Sequence, residues 1–259
     1  MSPSTDELIP MVTRLTLTAL REQLDPLLDE IARRELTLRE ALPWLCQADL
    51  ARKEERRRQM TLSMAQFPVV RTREGVGFEA QPSLDPTQVR ELALCRGVAH
   101  GDALLLLGPP GVGNSHVAVA VGREAIQRGY SVVFTPATAL VALLAQSPLE
   151  GRLEERLSDF AKPNLLMVDE FGYLPVEANA AHLFFQWVAR RYARGSLLLT
   201  STRRVGEWDR VFGNPVVTTA ILDRVLHQSH VLPSRGESSR LREKRRSGRL
   251  KPASASSEQ

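Results

Sequence analysis

The stretch LLLLGPPGVGNSHVAVAVG, Leu104 to Gly122, limits what this chain can fold into more than any other part of it. Four leucines in a row suit a strand buried on both faces. A glycine-rich turn follows, then a run that suits a helix. Strand, glycine turn and helix in that order are the layout of a phosphate-binding loop, G-x-x-x-x-G-K-[ST]. Gly108 and Gly113 stand at the two glycine positions and Ser115 at the hydroxyl position, but Asn114 stands where the lysine belongs. The backbone N–H groups of such a turn converge on one point. The helix dipole adds to the field there, so a phosphate chain is favoured. Gly108, Pro109, Pro110, Gly111, Val112, Gly113, Asn114, Ser115 and His116 are therefore the candidate nucleotide contacts. Ser115 is also a candidate Mg2+ ligand. A glycine-rich turn can be purely structural as well, so the rest of the chain has to bear on the reading.

From Pro86 onward, helix-like and strand-like segments alternate. A helix over 87–99 precedes a strand over 103–107. A helix over 115–128 follows the loop, and the β-branched run 131–137 reads as a strand. Segments 139–145 and 149–160 read as helices, 164–170 as a buried strand, 178–192 as a helix and 196–201 as another apolar strand. The stretch Thr219 to His230 reads as helical. Strands alternating with helices argue for an α/β fold with a parallel sheet covered on both faces. Ahead of it, the chain from Val12 to about Met64 reads as helical. Leu17, Leu20, Leu24, Leu28 and Ile31 fall at three- and four-residue steps, one face of a helix that Pro26 kinks or splits. Thr37 with Glu40 is a capping-box pair that opens the next helix. Residues 67–85 are rich in proline and glycine and lack periodicity, the mark of a linker. The expected organisation is a small helical domain over 1–66, the linker over 67–85, an α/β domain over 86–246 and a disordered tail over 247–259.

Three further motifs bear chemistry. LLMVDE ends an apolar strand in two carboxylates, Asp169 and Glu170. Adjacent acids there suit phosphoryl chemistry, Asp169 to hold Mg2+ and Glu170 to polarise an attacking water. Alone they would read as surface acids in a turn; about 55 residues after the loop and in this order, they support it. LLLTSTRR ends another strand in Ser201 and Thr202, where a polar side chain between the first two motifs can orient water. TAILDRVLHQSH carries Arg224, which can reach the nucleotide of a neighbouring subunit or simply pair on its own helix. His227 and His230 are three apart, but no cysteine or third histidine joins them, so zinc is not expected.

The chain has 259 residues, 43% hydrophobic and 25% charged, enough for one α/β domain and a small extra unit. No apolar run reaches the ~18 residues of a membrane span, and no basic-then-apolar signal opens the sequence. Cys46 and Cys95 are isolated, which suits reduced thiols and a cytoplasmic location. The net charge of +4 is unevenly spread. Arg235 to Lys251 holds eight basic residues and two acidic ones, and without it the chain is net −2. A second cluster, Ala51 to Arg58, holds Arg52, Lys53, Arg56, Arg57 and Arg58 against two glutamates. Basic appendages on a near-neutral body suit a polyanion held by phosphate neutralisation. They also suit a solvated helix surface and tail. No helix-turn-helix or zinc-finger pattern is present, so contacts to double-stranded DNA would go to its backbone.

Together these motifs resemble the AAA+ ATPases, and more narrowly the IstB-like helper ATPases of bacterial insertion sequences, a family related to the helicase loader DnaC and the initiator DnaA. The resemblance covers most of the chain. It runs from the leucine-rich N-terminal helices with their arginine cluster, through QPSLDPTQVRELA, GPPGVG-x-SH, LLMVDEFGYLP, LLLTS-x-R-x-x-x-EW-x-x-VFG and AILDRVLH, to RGES-x-RLREKR. VDEFGYLP and the EW…VFG segment are particular to this group rather than to P-loop proteins at large. The resemblance implies an AAA+ P-loop sheet that binds ATP with Mg2+ and assembles as a homo-oligomer on duplex DNA. It implies help in choosing the insertion target and stimulation of a cognate transposase. It implies phosphate contacts along 108–115, magnesium and water-activating roles for Asp169 and Glu170, and a sensor role at Thr202. It further implies an arginine finger at Arg224, acting in a neighbour's site, and a second sensor at Arg240.

Two positions depart from that pattern. Asn114 is uncharged and shorter than lysine, so it can hydrogen-bond a phosphate edge but cannot neutralise it. One lost charge-assisted hydrogen bond weakens binding by about 1.5–3 kcal/mol, roughly 10- to 150-fold. Hydrolysis should suffer more, because that lysine also meets charge in the transition state. Thr202 stands in for asparagine, a milder change at the same centre. The expectation is weakened nucleotide binding with slow or absent hydrolysis. A helicase-loading adaptor, a DNA scaffold indifferent to nucleotide and a decayed copy are the competing readings.

Overall fold

In the N-terminal part, apolar residues at helical spacing gather into a small core. The computed structural model describes residues 5–68, 86–173, 175–192 and 194–234, and the chain divides at Met60 into two compact units. The first contains α1 (Thr5–Arg14), α2 (Thr18–Glu22), α3 (Leu24–Arg33) and most of α4 (Leu38–Met64). Val12, Leu20 and Leu24 are buried together, with Leu8, Leu17, Leu27, Leu28 and Leu45 packed against them. The break between α2 and α3 falls at Gln23, ahead of Pro26, which sits in the first turn of α3 where a missing N–H leaves no bond unmade. Thr37 donates to Glu40 Oε2 from both its N–H (2.9 Å) and its hydroxyl (2.7 Å), which opens α4 as expected and holds the Glu40 carboxyl below its usual range. Asp49, on α4, is buried and accepts the N–H groups of Ala19 (3.1 Å) and Leu20 (2.8 Å), so one helix closes the N-terminus of another.

The second unit is built on β1 (Ala103–Leu107), β2 (Val132–Pro136), β3 (Leu165–Phe171), β4 (Ser196–Ser201) and β5 (Ser229–Pro233). All pairings are parallel, in the order β2-β3-β4-β1-β5. Period-two alternation divides the strand residues between two faces. Leu105, Leu166, Val168, Leu197 and Leu199 pack on one side under α8 (Ala137–Gln146), α9 (Leu153–Ala161), α10 (Ala178–Arg191), α11 (Asp209–Phe212) and α12 (Pro215–Leu226). Leu104, Leu106, Leu165, Met167 and Leu198 pack on the other against α7 (Asn114–Gln127). The short helices α5 (Pro86–Ala93) and α6 (Arg96–His100) lead into β1. Ala65 and Phe67 belong to the second core: Phe134 N–H donates to Ala65 O at 3.0 Å, and the Phe67 ring meets Phe134 edge-on. The parallel sheet covered on both faces is the expected one.

Three element readings change. The helix expected over 87–99 is two, α5 and α6, parted at Leu94 and Cys95, the latter at a left-handed φ of 51°. The stretch 219–230 is not one helix: α12 ends at Leu226 and Ser229–Pro233 forms a fifth strand beside β1. The helix expected from Leu149 begins at Leu153, because Pro148 and Gly151, the latter at φ 67°, form the turn before it. Arg240, the basic run from Arg235 and the tail over 247–259 lie outside the described residues, as does most of the expected linker.

Candidate nucleotide site

In an open parallel sheet a ligand crevice forms beyond the carboxyl ends of the strands, where the chain's direction of winding switches. Here the chain leaves β1 for β2 at the far side of the sheet, which makes the end of β1 that place. β4 lies between the loop strand β1 and the carboxylate strand β3, so the ends of all three converge on the N-terminus of α7.

The loop is shaped by its glycines. Gly111 (φ 85°) and Gly113 (φ 99°) hold backbone angles that other residues adopt only at a cost. Gly108 is fixed by crowding instead: a Cβ there would lie 2.6 Å from Ser234 O. Its N–H donates to Ser201 O (3.0 Å), which ties the start of the loop to the end of β4. Gly113 is the N-cap of α7 and supplies no side-chain cap, so the helix opens onto the loop through backbone alone. Asn114, the first residue of α7, carries a buried amide oxygen with no hydrogen-bond partner among the described residues.

Residues 54 apart in sequence meet at the end of β3. The Ser115 hydroxyl donates to Asp169 Oδ1 at 2.9 Å, and Asp169 is 9% exposed. The register between β3 and β4 slips after Val168, so that Asp169 and Glu170 together oppose Thr200. Glu170 takes up the extra residue at φ 58°, a left-handed angle uncommon for a glutamate. Bulges of this kind re-aim side chains beside active sites. Here the slip leaves Asp169 buried against Ser115 and Glu170 exposed. Thr200 holds the bulge: its hydroxyl donates to Asp169 Oδ1 and accepts the Glu170 N–H (2.9 Å). Sequence reading passed over Thr200 in favour of Ser201 and Thr202. Thr202 follows directly on β4 and is exposed, at the same edge as the loop. Pro109 and Pro110 are exposed, Val112 is buried, and His116 is half-buried on the first turn of α7.

This arrangement suits a phosphate chain and a divalent cation. The uncapped N-terminus of α7 and the positive-φ glycines form an anion cradle made of backbone. Ser115 and Asp169 are two oxygen ligands within hydrogen-bond distance of each other, the donor pair that Mg2+ takes together with phosphates and water. Among the described residues no three His, Cys, Asp or Glu side chains gather to hold a metal by themselves. Asn114 puts a neutral amide in the middle of this cradle.

Arg224 is not brought to this loop. It lies in the last turn of α12, with Nη1 donating to Ala220 O (2.9 Å) and its guanidinium 4.7 Å over the Phe185 ring. It borders a cleft with Gly101, Ala103 and Leu197, at the starts of β1 and β4, the opposite edge of the sheet from the loop. In the first unit, Arg52 pairs with Glu22, and Arg58 with Glu54 and Glu55, while Lys53, Arg56 and Arg57 are exposed along α4.

A five-stranded parallel sheet with a glycine loop after β1, paired acids on β3 and a polar end to β4 is a P-loop ATPase fold of the AAA+ type. The structure of DnaI has a similar fold, with a TM-score of 0.53 at 18% identity, over 61% of this chain and 90% of that one. The family model described as IstB-like ATP binding protein matches residues 11–247, and the chain belongs to that family. An insertion sequence IS21 putative ATP-binding protein of Pseudomonas aeruginosa is 40% identical over 94% of this chain and 92% of its own length. An insertion sequence IS5376 putative ATP-binding protein of Geobacillus stearothermophilus is 39% identical over 90% and 92%.

Proposed function

We propose that this chain is an ATP-binding helper of DNA transposition whose nucleotide site binds weakly and turns over slowly. The observation that carries the reading is the contact of Ser115 with Asp169 at the mouth of α7, beside an exposed Glu170 on a strained bulge. Its family membership and relatives named as insertion-sequence ATP-binding proteins support the transposition context. ATP bound here would supply a transferable phosphoryl group and the energy of its release. The backbone from Gly108 to Ser115 would hold the phosphates, and Ser115 and Asp169 would hold Mg2+, which would neutralise charge on the terminal phosphates. Glu170 takes a proton from the attacking water, and Thr202 orients that water.

Arg224, at the opposite edge of the sheet, serves the site of a neighbouring copy, so the active form is a head-to-tail homo-oligomer. Arg240 has the role of a second sensor of the nucleotide. Residues 1–66 form the DNA- and partner-binding part and 86–246 the ATPase part. Lys53, Arg56 and Arg57, with Arg52 and Arg58 beside them, meet the DNA backbone together with the basic run from Arg235. No described helix is long and apolar enough to cross a membrane.

The test is binding of duplex DNA at 50 and 200 mM salt, with and without Mg2+ and a non-hydrolysable ATP analogue, followed by addition of the element's transposase. The reading expects nucleotide-dependent assemblies on DNA, a loss of about a thousandfold or more across that salt range, and faster strand transfer. DNA binding that ignores nucleotide would make the chain a scaffold instead. Capture of a replicative helicase in place of the transposase would make it a loading adaptor.

A further inference from the structure

We infer that Arg203 supplies the positive charge that Asn114 withholds from the terminal phosphate. The inference rests on the nucleotide reading above and assigns that site a residue of its own.

A phosphate chain at the mouth of α7 meets backbone N–H groups and about half a unit of positive charge from the helix. Asn114 adds none, and its buried oxygen lacks a donor among the described residues. A group that answered both needs would carry full charge and several N–H donors. A guanidinium has five in a planar fork, enough to meet an amide oxygen and a phosphate oxygen together.

Two arginines leave β4 at the site's edge, and the structure separates them. Arg204 is exposed at the start of a short turn (Val205–Glu207), its N–H donating to Glu207 Oε2 at 2.9 Å. Arg203 is anchored toward the site. Its N–H donates to Ser201 Oγ (3.0 Å), that hydroxyl donates to Phe171 O (2.7 Å), and Ser201 O accepts the Gly108 N–H (3.0 Å). One buried serine thus ties Arg203 to the first residue of the loop and to the residue after Glu170.

The Arg203 side chain crosses the end of β3 over Gly172, where a Cβ would come within 3.3 Å of Arg203 Cγ. Gly172 itself has φ 81°, so the turn suits glycine on two counts. The side chain is 46% exposed, with Nη1 3.7 Å from Glu207 Oε1. That is too long for a hydrogen bond, and exposed pairs of this kind hold weakly. Arg203 therefore has a root fixed through Ser201 and a head held only loosely by Glu207, which suits a cation that turns toward the loop when phosphate arrives.

The experiment measures the affinities of fluorescent ATP and ADP analogues, with Mg2+, for the full chain and for Arg203→Gln, Arg203→Lys and Arg204→Gln. Each is made in the native background and with Asn114→Lys, and melting temperatures are recorded for all. In the native background, Arg203→Gln is expected to weaken the ATP analogue roughly tenfold or more, to leave ADP nearly unchanged, and to be partly rescued by Arg203→Lys. With Asn114→Lys present the same change should cost little, because the loop lysine then carries the charge. Arg204→Gln should bind like the native chain. Equal losses for ATP and ADP, equal losses in both backgrounds, or no loss at all would overturn the inference. If neither the native chain nor Asn114→Lys binds either nucleotide, the nucleotide reading itself fails, a pattern distinct from all of these.

Discussion

At the scale of single residues, Thr200 shows how much of the site depends on one hydroxyl. It accepts the N–H that the bulge at Glu170 would otherwise strand and donates to the carboxylate that faces Ser115. Nothing in LLLTS marks it, because period-two alternation reads Thr200 as an ordinary buried strand position; only the register slip on β3 gives it work. Charge counting had a similar limit in the cluster from Ala51 to Arg58. Five cations were legible, and Arg58 pairs with Glu54 and Glu55 at helical spacing on its own helix, but the partner of Arg52, Glu22 on α2, depends on how the helices fold. The two cysteines give a prediction at this scale. Burial raises the Cys95 thiol to about 11, whereas Cys46 is exposed. At pH 8 Cys95 is therefore almost wholly protonated and unreactive. Alkylation of the native protein followed by mass mapping should modify Cys46 and spare Cys95 until denaturant is added. Equal labelling of both would show that the core around Cys95 opens.

At the scale of elements, strands were more legible than helix ends. The strand over 103–107 and that over 196–201 fall where their apolar runs place them, since a continuous run flanked by polar residues has few other solutions. The fifth strand was hidden because SHVLP is short, mostly exposed and ends in proline, with no breaker between it and α12. The proline rule located a helix break in the N-terminal part but not its position, which Gln23 sets rather than Pro26. Asp49 could not be foreseen, because its role is to close a different helix 30 residues away. Asp49→Ala leaves two N–H groups of α2 without their acceptor in a buried place, and should cost about 1–3 kcal/mol. Urea unfolding followed by far-ultraviolet circular dichroism measures it. An unchanged midpoint would mean that α2 does not depend on that cap.

For the whole molecule, the sheet order explains why the loop, the paired acids and the end of β4 form one site while Arg224 cannot join it from the same chain. The motifs were legible in sequence because phosphate binding needs fixed residue types at fixed spacing. The orphaned oxygen of Asn114 was not, because it depends on what surrounds the side chain once folded. On the function proposed above, that residue is the one that separates an ATPase from a nucleotide-gated assembly factor stalled before chemistry. The most direct measurement is Mg2+-dependent binding of a fluorescent ATP analogue to the native chain and to Asn114→Lys, with phosphate release from ATP followed under the same conditions. The account predicts that both bind, Asn114→Lys roughly 10- to 150-fold more tightly, and that only Asn114→Lys releases phosphate at an appreciable rate. Failure of both forms to bind would contradict it and leave the loop a relic; equal turnover by both would show that the lysine is not needed here.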